Sequence, residues 1–334
     1  MSDTMNTMPE GAANAVGRGR NGGDLAHYLA PALKQACDGR LSDIRWFLSD
    51  WQRGGAATGF ATFAFENGKR DVVVKLPVGP IEHRATTKLA ATDAPTPRVA
   101  AHGVELGGYD LAWLVLERLP GDPLAKSPER KTLLNLAHSA AEFWKQTTAV
   151  LGAHSTHEPE PDWDHLCAKA RDAIHVNHLP DEQRWNNGVK MAQRNIPALL
   201  DRWSAQHDGE WRHGDLHPGN AMLRPAASVW GQARCVLIDL AEVRPGSWIE
   251  DAVSFERLYW GREDKLAGFK PTKELARARK RAGLPVDENW RELADARTVL
   301  LVAATPASLA RDGDPKHLAG AIDALEHACK RLGL

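Results

Sequence analysis

Residues 213–220 read His-Gly-Asp-Leu-His-Pro-Gly-Asn, and the apolar run Val236-Leu237-Ile238 ends in Asp239 shortly after. No other stretch constrains the chain so tightly. Asp215 and Asn220 stand five positions apart, so a single loop carries a carboxylate and an amide at fixed spacing. The run ending at Asp239 reads as a short strand, and such a strand delivers its terminal carboxylate to a cleft. These residue types suit one chemistry. One carboxylate accepts the proton of a hydroxyl group, while an amide oxygen and a second carboxylate are hard oxygen donors for a divalent cation such as Mg²⁺. Two other readings compete. His-Gly-Asp is a common turn tripeptide in which the Asp is only a cap. His213, Asp215 and His217 also form H-x-D-x-H, a pattern of hydrolytic metal sites, but the further His ligands such a site needs do not follow in the loop.

At these residues the chain resembles the aminoglycoside phosphotransferase and choline kinase group of kinase-like enzymes. Their signature is H-G-D-x-x-x-x-N followed by an apolar strand ending in Ile-Asp. Gly214 stands where protein kinases normally carry Arg, and His217-Pro218-Gly219 is typical of the small-molecule branch. The resemblance implies a two-lobed α+β protein-kinase-like fold, with a small, mostly antiparallel β N-lobe, a large helical C-lobe and MgATP between them. It also implies that Asp215 is the catalytic base, that Asn220 and Asp239 are metal ligands, and that ATP and Mg²⁺ are the cofactors.

The first part of the chain reads as β-rich. Asp43–Trp51 is expected as a first strand, and Phe60–Glu66 as a second. Asn67-Gly68 then supplies a strong hairpin signal, and Val72-Val73-Val74 runs into Lys75. Gly54-Gly55-Ala56-Ala57-Thr58-Gly59 lies between two strands, where backbone N–H groups can approach a phosphate without a Cβ in the way. Gly54, Gly55 and Thr58 are therefore candidate nucleotide contacts. The three valines predict a strand buried on both faces, from which Lys75 emerges toward a cleft. By resemblance, Lys75 meets the inner phosphates and is oriented by a Glu on the next helix. Glu82, near the start of a helix over Ile81–Ala91, is the candidate, although a first-turn Glu also answers the helix dipole. Leu111–Leu116 reads as a strand running into Glu117-Arg118-Leu119. The resemblance implies an interlobe hinge there, with backbone groups of Glu117 and Leu119 on the adenine edge.

From about Ser127 the periodicity turns helical, with Leu133, Leu136, Ala137, Ala140, Ala141 and Trp144 on one face. One helix is expected over Glu182–Trp203 and a hairpin-like insert over Arg224–Arg234. Helices follow to the end of the chain, with a break at Gly283 and Pro285. Asp251 stands at about the place of a second family Asp, and the resemblance makes it a buttress of the catalytic loop, although a carboxylate at a helix N-terminus fits the same residue; His213 is expected to support the loop as well. The expected division is a disordered tail over 1–23, an N-lobe over 24–119 and a C-lobe over 120–334.

Composition bounds what remains. The chain has 334 residues, 43% of them hydrophobic, enough for two lobes with a sizeable core, and its net charge is −1. That balance argues against a nucleic-acid or membrane surface as partner. Four scattered cysteines have no metal spacing and suit a reducing, cytoplasmic setting. A protein kinase is a rival reading, weakened because only Ser247 among hydroxyl side chains lies between Asp239 and Asp251. A non-catalytic pseudokinase is another, weakened because Lys75, Asp215, Asn220 and Asp239 are all present. The expected partner besides nucleotide is a small-molecule hydroxyl acceptor. Trp248 and Glu250 are the candidate acceptor contacts, since aromatic faces beside carboxylates suit a sugar, amino sugar or aminoglycoside.

Overall fold

The computed structural model of the protein describes residues 22–47, 56–152, 159–204, 209–309 and 313–334. The described chain forms two compact units. The first comprises the residues up to Thr87 together with Pro97–Arg118, and the second comprises Lys88–Thr96 and Leu119–Leu334. The expected tail falls almost wholly outside the described residues, as do Gly54 and Gly55.

The first unit is built on a five-stranded antiparallel sheet in the order β1-β2-β3-β5-β4, with strands β1 (Leu41–Phe47), β2 (Ala57–Phe65), β3 (Gly68–Leu76), β4 (Val99–Gly103) and β5 (Trp113–Glu117). Helix α1 (Gly22–Ala36) packs against β1 and β2. Asn67 and Gly68 turn β2 into β3 as their sequence predicts, and the pairing runs unbroken from Phe65↔Gly68 to Ala57↔Leu76. β2 begins at Ala57, so Thr58 is a strand residue rather than a loop residue, placed directly opposite Lys75. The three valines are not equally enclosed. Val72, Val74 and Leu76 are buried, whereas Val73 and Lys75 share the other, half-buried face. The period-two alternation of a strand divides the run, and only one face of the sheet is fully covered. Helix α2 (Pro80–Ala90) follows β3 after a cis Leu76–Pro77 peptide.

The second unit is dominated by helices: α3 (Arg130–Leu151), α4 (Trp163–Val176), α5 (Glu182–Arg194), α6 (Ile196–Ser204), α7 (Trp248–Arg257), α8 (Pro271–Arg281), α9 (Trp290–Ala304) and α10 (Pro315–Leu332). Their main core gathers Trp163, Trp185, Val189, Val299, Ile322 and Leu325, among others, from α4, α5, α9 and α10. The single helix expected over Glu182–Trp203 is two. α5 ends at Arg194 with Asn195 as its C-cap, and Pro197, which lacks an N–H, sits in the first turn of α6, where no intrahelical bond is lost. Four short strands complete this unit as two antiparallel pairs. β6 (Trp211–Arg212) pairs with β9 (Arg244–Pro245), and β7 (Ala221–Arg224) with β8 (Arg234–Leu237). The expected insert is the turn of the second pair. The carbonyl of Thr96 accepts from Arg224, and Arg234 pairs with Asp93, which ties the segment before β4 to this hairpin. No helix among the described residues is long and apolar enough to cross a membrane. The four cysteines are buried and unpaired.

Candidate active site

The catalytic-loop candidate leaves β6 and enters β7. At Gly214 the backbone takes φ +85°, and a Cβ there would stand 2.0 Å from the carbonyl oxygen of Glu242. No side chain fits, which accounts for glycine at this position. The carboxylate of Asp251, in the first turn of α7, is 0% exposed and fixes the turn. Its Oδ2 accepts the His213 amide at 2.8 Å and the indole N–H of Trp144 at 2.9 Å, and its Oδ1 accepts the Gly214 amide at 2.8 Å. Three donors thus meet one buried carboxylate, the arrangement that satisfies an anion removed from water. His213 is buried against Phe143, and its Nδ1 faces the Asp215 amide at 3.4 Å. Burial holds its imidazole below the ordinary histidine range, although Asp251, Asp215 and Asp239 pull the other way.

Asp215 is half-buried and projects from this turn. The Asn220 amide donates to its Oδ2 at 2.7 Å and to its backbone carbonyl at 3.0 Å. His217 stands 3.5 Å from the same Oδ2 through Nε2, while its Nδ1 accepts the Gly219 amide at 2.9 Å. Since Nδ1 is the acceptor, the imidazole proton resides on Nε2, facing the carboxylate. The hydrogen bond from His217 outweighs the opposing effect of burial, and with the smaller contribution of Asn220 it keeps Asp215 below the ordinary carboxylate range. Asp215 is therefore an anion that can accept a proton.

The hairpin β7–β8 brings the other two loop candidates to one end. Ala221 is opposite Leu237, and the Ile238 amide donates to the Asn220 carbonyl at 2.9 Å. Asn220 just before β7 is thus opposite Ile238 just after β8, and Asp239 follows one residue later at the same end of the hairpin. Pairing stops at Leu237, two residues before the expected strand end, and Asp239 adopts a left-handed backbone at φ 61°. Because the Asn220 nitrogen is committed to Asp215, its amide oxygen is the atom left for a cation. An amide oxygen with an aspartate carboxylate is a donor set that suits Mg²⁺. The rival H-x-D-x-H cluster does not form. Among the described residues, no group of three or more His, Cys, Asp and Glu side chains is placed to hold a metal ion.

In the first unit, Lys75 Nζ lies 2.5 Å from Glu82 Oε1, both largely buried. The short, proline-containing connection therefore reaches far enough. Glu117 donates its amide to the Arg98 carbonyl and accepts the Arg98 amide on its carboxylate, so its N–H already serves the sheet. Leu119 is buried at the start of the second unit.

The expected acceptor contacts divide. Trp248 is 2% exposed and lies in the core beside Trp144 and Trp290, with the Arg279 guanidinium 5.4 Å from its ring centroid. An aromatic cluster holding a cation does exist, but its cation is internal, so Trp248 is withdrawn as an acceptor contact. Glu250 lines a cavity of about 240 Å³ that also exposes Asp215. Arg212, Arg244, Arg257 and Arg297 line it too, from β6, β9, α7 and α9. Sequence reasoning passed over these arginines. The one available signal was on α7, where Glu250, Ser254 and Arg257 recur at helical spacing on a single face.

The profile of the phosphotransferase enzyme family, APH, matches residues 50–295. The chain is similar to a candidate aminoglycoside phosphotransferase from Ralstonia eutropha JMP134, at 15% identity and a TM-score of 0.57, covering 90% of this chain and 98% of that one. It is similar to aminoglycoside phosphotransferase APH(4)-Ia at 18% identity and a TM-score of 0.52, covering 92% and 99%. It is also similar to an aminoglycoside phosphotransferase from Alicyclobacillus acidocaldarius at 16% identity and a TM-score of 0.54, covering 90% and 92%. Among curated proteins, none matches the sequence. At these identities the solved structures speak for the kinase-like fold, and the profile for the chemistry. The chain belongs to the phosphotransferase enzyme family and is a small-molecule phosphotransferase of kinase-like α+β fold.

Proposed function

We propose that the protein transfers the γ-phosphoryl group of MgATP to a hydroxyl group of a small molecule, with Asp215 as the base. The observation that carries this reading is the loop itself, where Asn220 clasps Asp215 through 2.7 and 3.0 Å hydrogen bonds and its carbonyl accepts the amide of Ile238, the residue before Asp239. Asp215 orients the acceptor hydroxyl and takes its proton as the new P–O bond forms. The bond from the γ-phosphorus to the bridging oxygen breaks, and ADP leaves. Asn220 and Asp239 would hold Mg²⁺, which neutralises phosphate charge when bound. Lys75, held by Glu82, supplies a positive charge for the inner phosphates, and Thr58 opposite it on β2 is a further candidate contact. A sugar-like, polyhydroxylated acceptor fits the family. An amino sugar or aminoglycoside finds little support in a cavity lined by four arginines.

Calorimetry tests the nucleotide half of this reading. ATP is expected to bind the wild-type protein at least tenfold more tightly with Mg²⁺ than without it. Asp239→Ala should abolish that difference, and Asn220→Ala should reduce it. Equal ATP affinity with and without Mg²⁺ in the wild type would remove the metal assignment.

A further inference from the structure

We infer that the acceptor bound beside Asp215 is an anion, a compact hydroxyl compound bearing a carboxylate or phosphate group. The inference rests on the phosphotransferase reading and names the substrate class of the same site. The cavity of about 240 Å³ is lined by four arginines, Arg212, Arg244, Arg257 and Arg297, and by the two acidic residues Asp215 and Glu250. Glu250 is already committed. Its Oε1 accepts from Arg297 at 2.8 Å, and its Oε2 stands 3.3 Å from Arg212 Nε and accepts the Ser247 amide. A second nitrogen of Arg297 donates to Glu160 at 2.9 Å, and Arg244 lies 3.6 Å from Glu242. These pairs build the wall.

Arg257 is different. It is solvent-exposed, its side chain makes no hydrogen bond or ion pair with any described residue, and it lies within electrostatic reach of Asp215. Its fork of N–H donors matches a carboxylate or phosphate in two-point fashion. An amine-bearing acceptor would meet the guanidinium groups instead, with no carboxylate to spare except the base, and like charges brought together are strongly disfavoured. The volume also lies below the ~300 Å³ at which pockets for drug-sized ligands begin, which favours a compact metabolite over a multi-ring saccharide.

An arginine here could instead serve the phosphoryl group in flight, and the two roles separate cleanly. Help to the transferring group benefits every acceptor alike, whereas help to an acceptor anion discriminates by acceptor charge. The full-length protein with MgATP is assayed on matched compounds: glycerol, glycerate and glycerol 3-phosphate; ribose, gluconate and ribose 5-phosphate; and the cations choline and kanamycin. The carboxylate and phosphate arms identify which anion is read. At least one anion should exceed its neutral counterpart about 100-fold in kcat/KM. Arg257→Ala should raise the KM for that anion about tenfold or more with the KM for ATP held, and Arg257→Lys should recover part of the loss. Preference for the neutral or cationic compounds, or an equal loss on all acceptors in Arg257→Ala, would overturn the inference. Binding of the same anions to Asp215→Asn is measured by calorimetry. Binding of none of them also overturns it, whatever is phosphorylated. Anion binding without transfer to any compound would support the anion site and count against the phosphotransferase reading.

Discussion

Two side chains hold Asp215, and both favour its charged form. Asn220 fixes its position, and His217 presents a proton donor that favours the charged form. Asp215→Asn preserves shape and removes the proton acceptor. Turnover should fall by about two orders of magnitude or more, with the affinity for MgATP kept within a few fold, as steady-state kinetics and calorimetry would record. Lys75 and Glu82 form the other coupled pair. Lys75→Ala should weaken ATP use, Glu82→Gln should do so more mildly, and the double variant should lose less than the sum of the two in log kcat/KM. Strict additivity would mean that the 2.5 Å contact does not serve the nucleotide. At this scale the sequence was informative where chemistry is written in one short segment, as in residues 213–220. It was silent about Arg212, Arg244, Arg257 and Arg297, because four separate elements bring them together and no local spacing records that convergence. It misjudged Trp248 because an aromatic residue beside carboxylates reads alike in a cage and in a core.

The elements explain why the loop keeps its shape. β6 is only two residues long and cannot fix the turn after it, so the turn depends on α7 through Asp251 and on α3 through Trp144. Asp251→Ala would strip three donors of their partner, at about 1–3 kcal/mol for each group left buried and unsatisfied. A loss of about 3 kcal/mol or more is expected in urea unfolding, together with loss of activity. Asp251→Asn retains an acceptor and should fall between that variant and the wild type. Gly214→Ala is predicted to destabilise comparably, because the new methyl group meets a backbone carbonyl that cannot yield as a side chain would. An Asp251→Ala protein with wild-type stability would show that the buttress is dispensable. Hairpins and long amphipathic helices were legible in the sequence, since Asn67-Gly68 and the Leu133–Trp144 face are local signals. The division of α5 from α6, and the alternation within Val72–Val74, depended on a proline at a tolerated position and on which sheet face is covered. Periodicity alone does not reveal either.

For the whole molecule, the family profile spans the loop whose hydrogen bonds join Asn220 to Asp215, and the two agree on the chemistry. The four arginines that line the cavity with Asp215 are the ground for proposing an acceptor other than the aminoglycosides named for its structural neighbours. Family membership constrains the reaction, and the side chains around Asp215 constrain the acceptor. The most direct test is ³¹P NMR of the protein with MgATP and the matched neutral, anionic and cationic acceptors. The account predicts a new phosphomonoester resonance that grows in step with ADP and is lost in Asp215→Asn. ATP that remains intact with every acceptor, or an ester that forms as fast in Asp215→Asn as in the wild type, would contradict it.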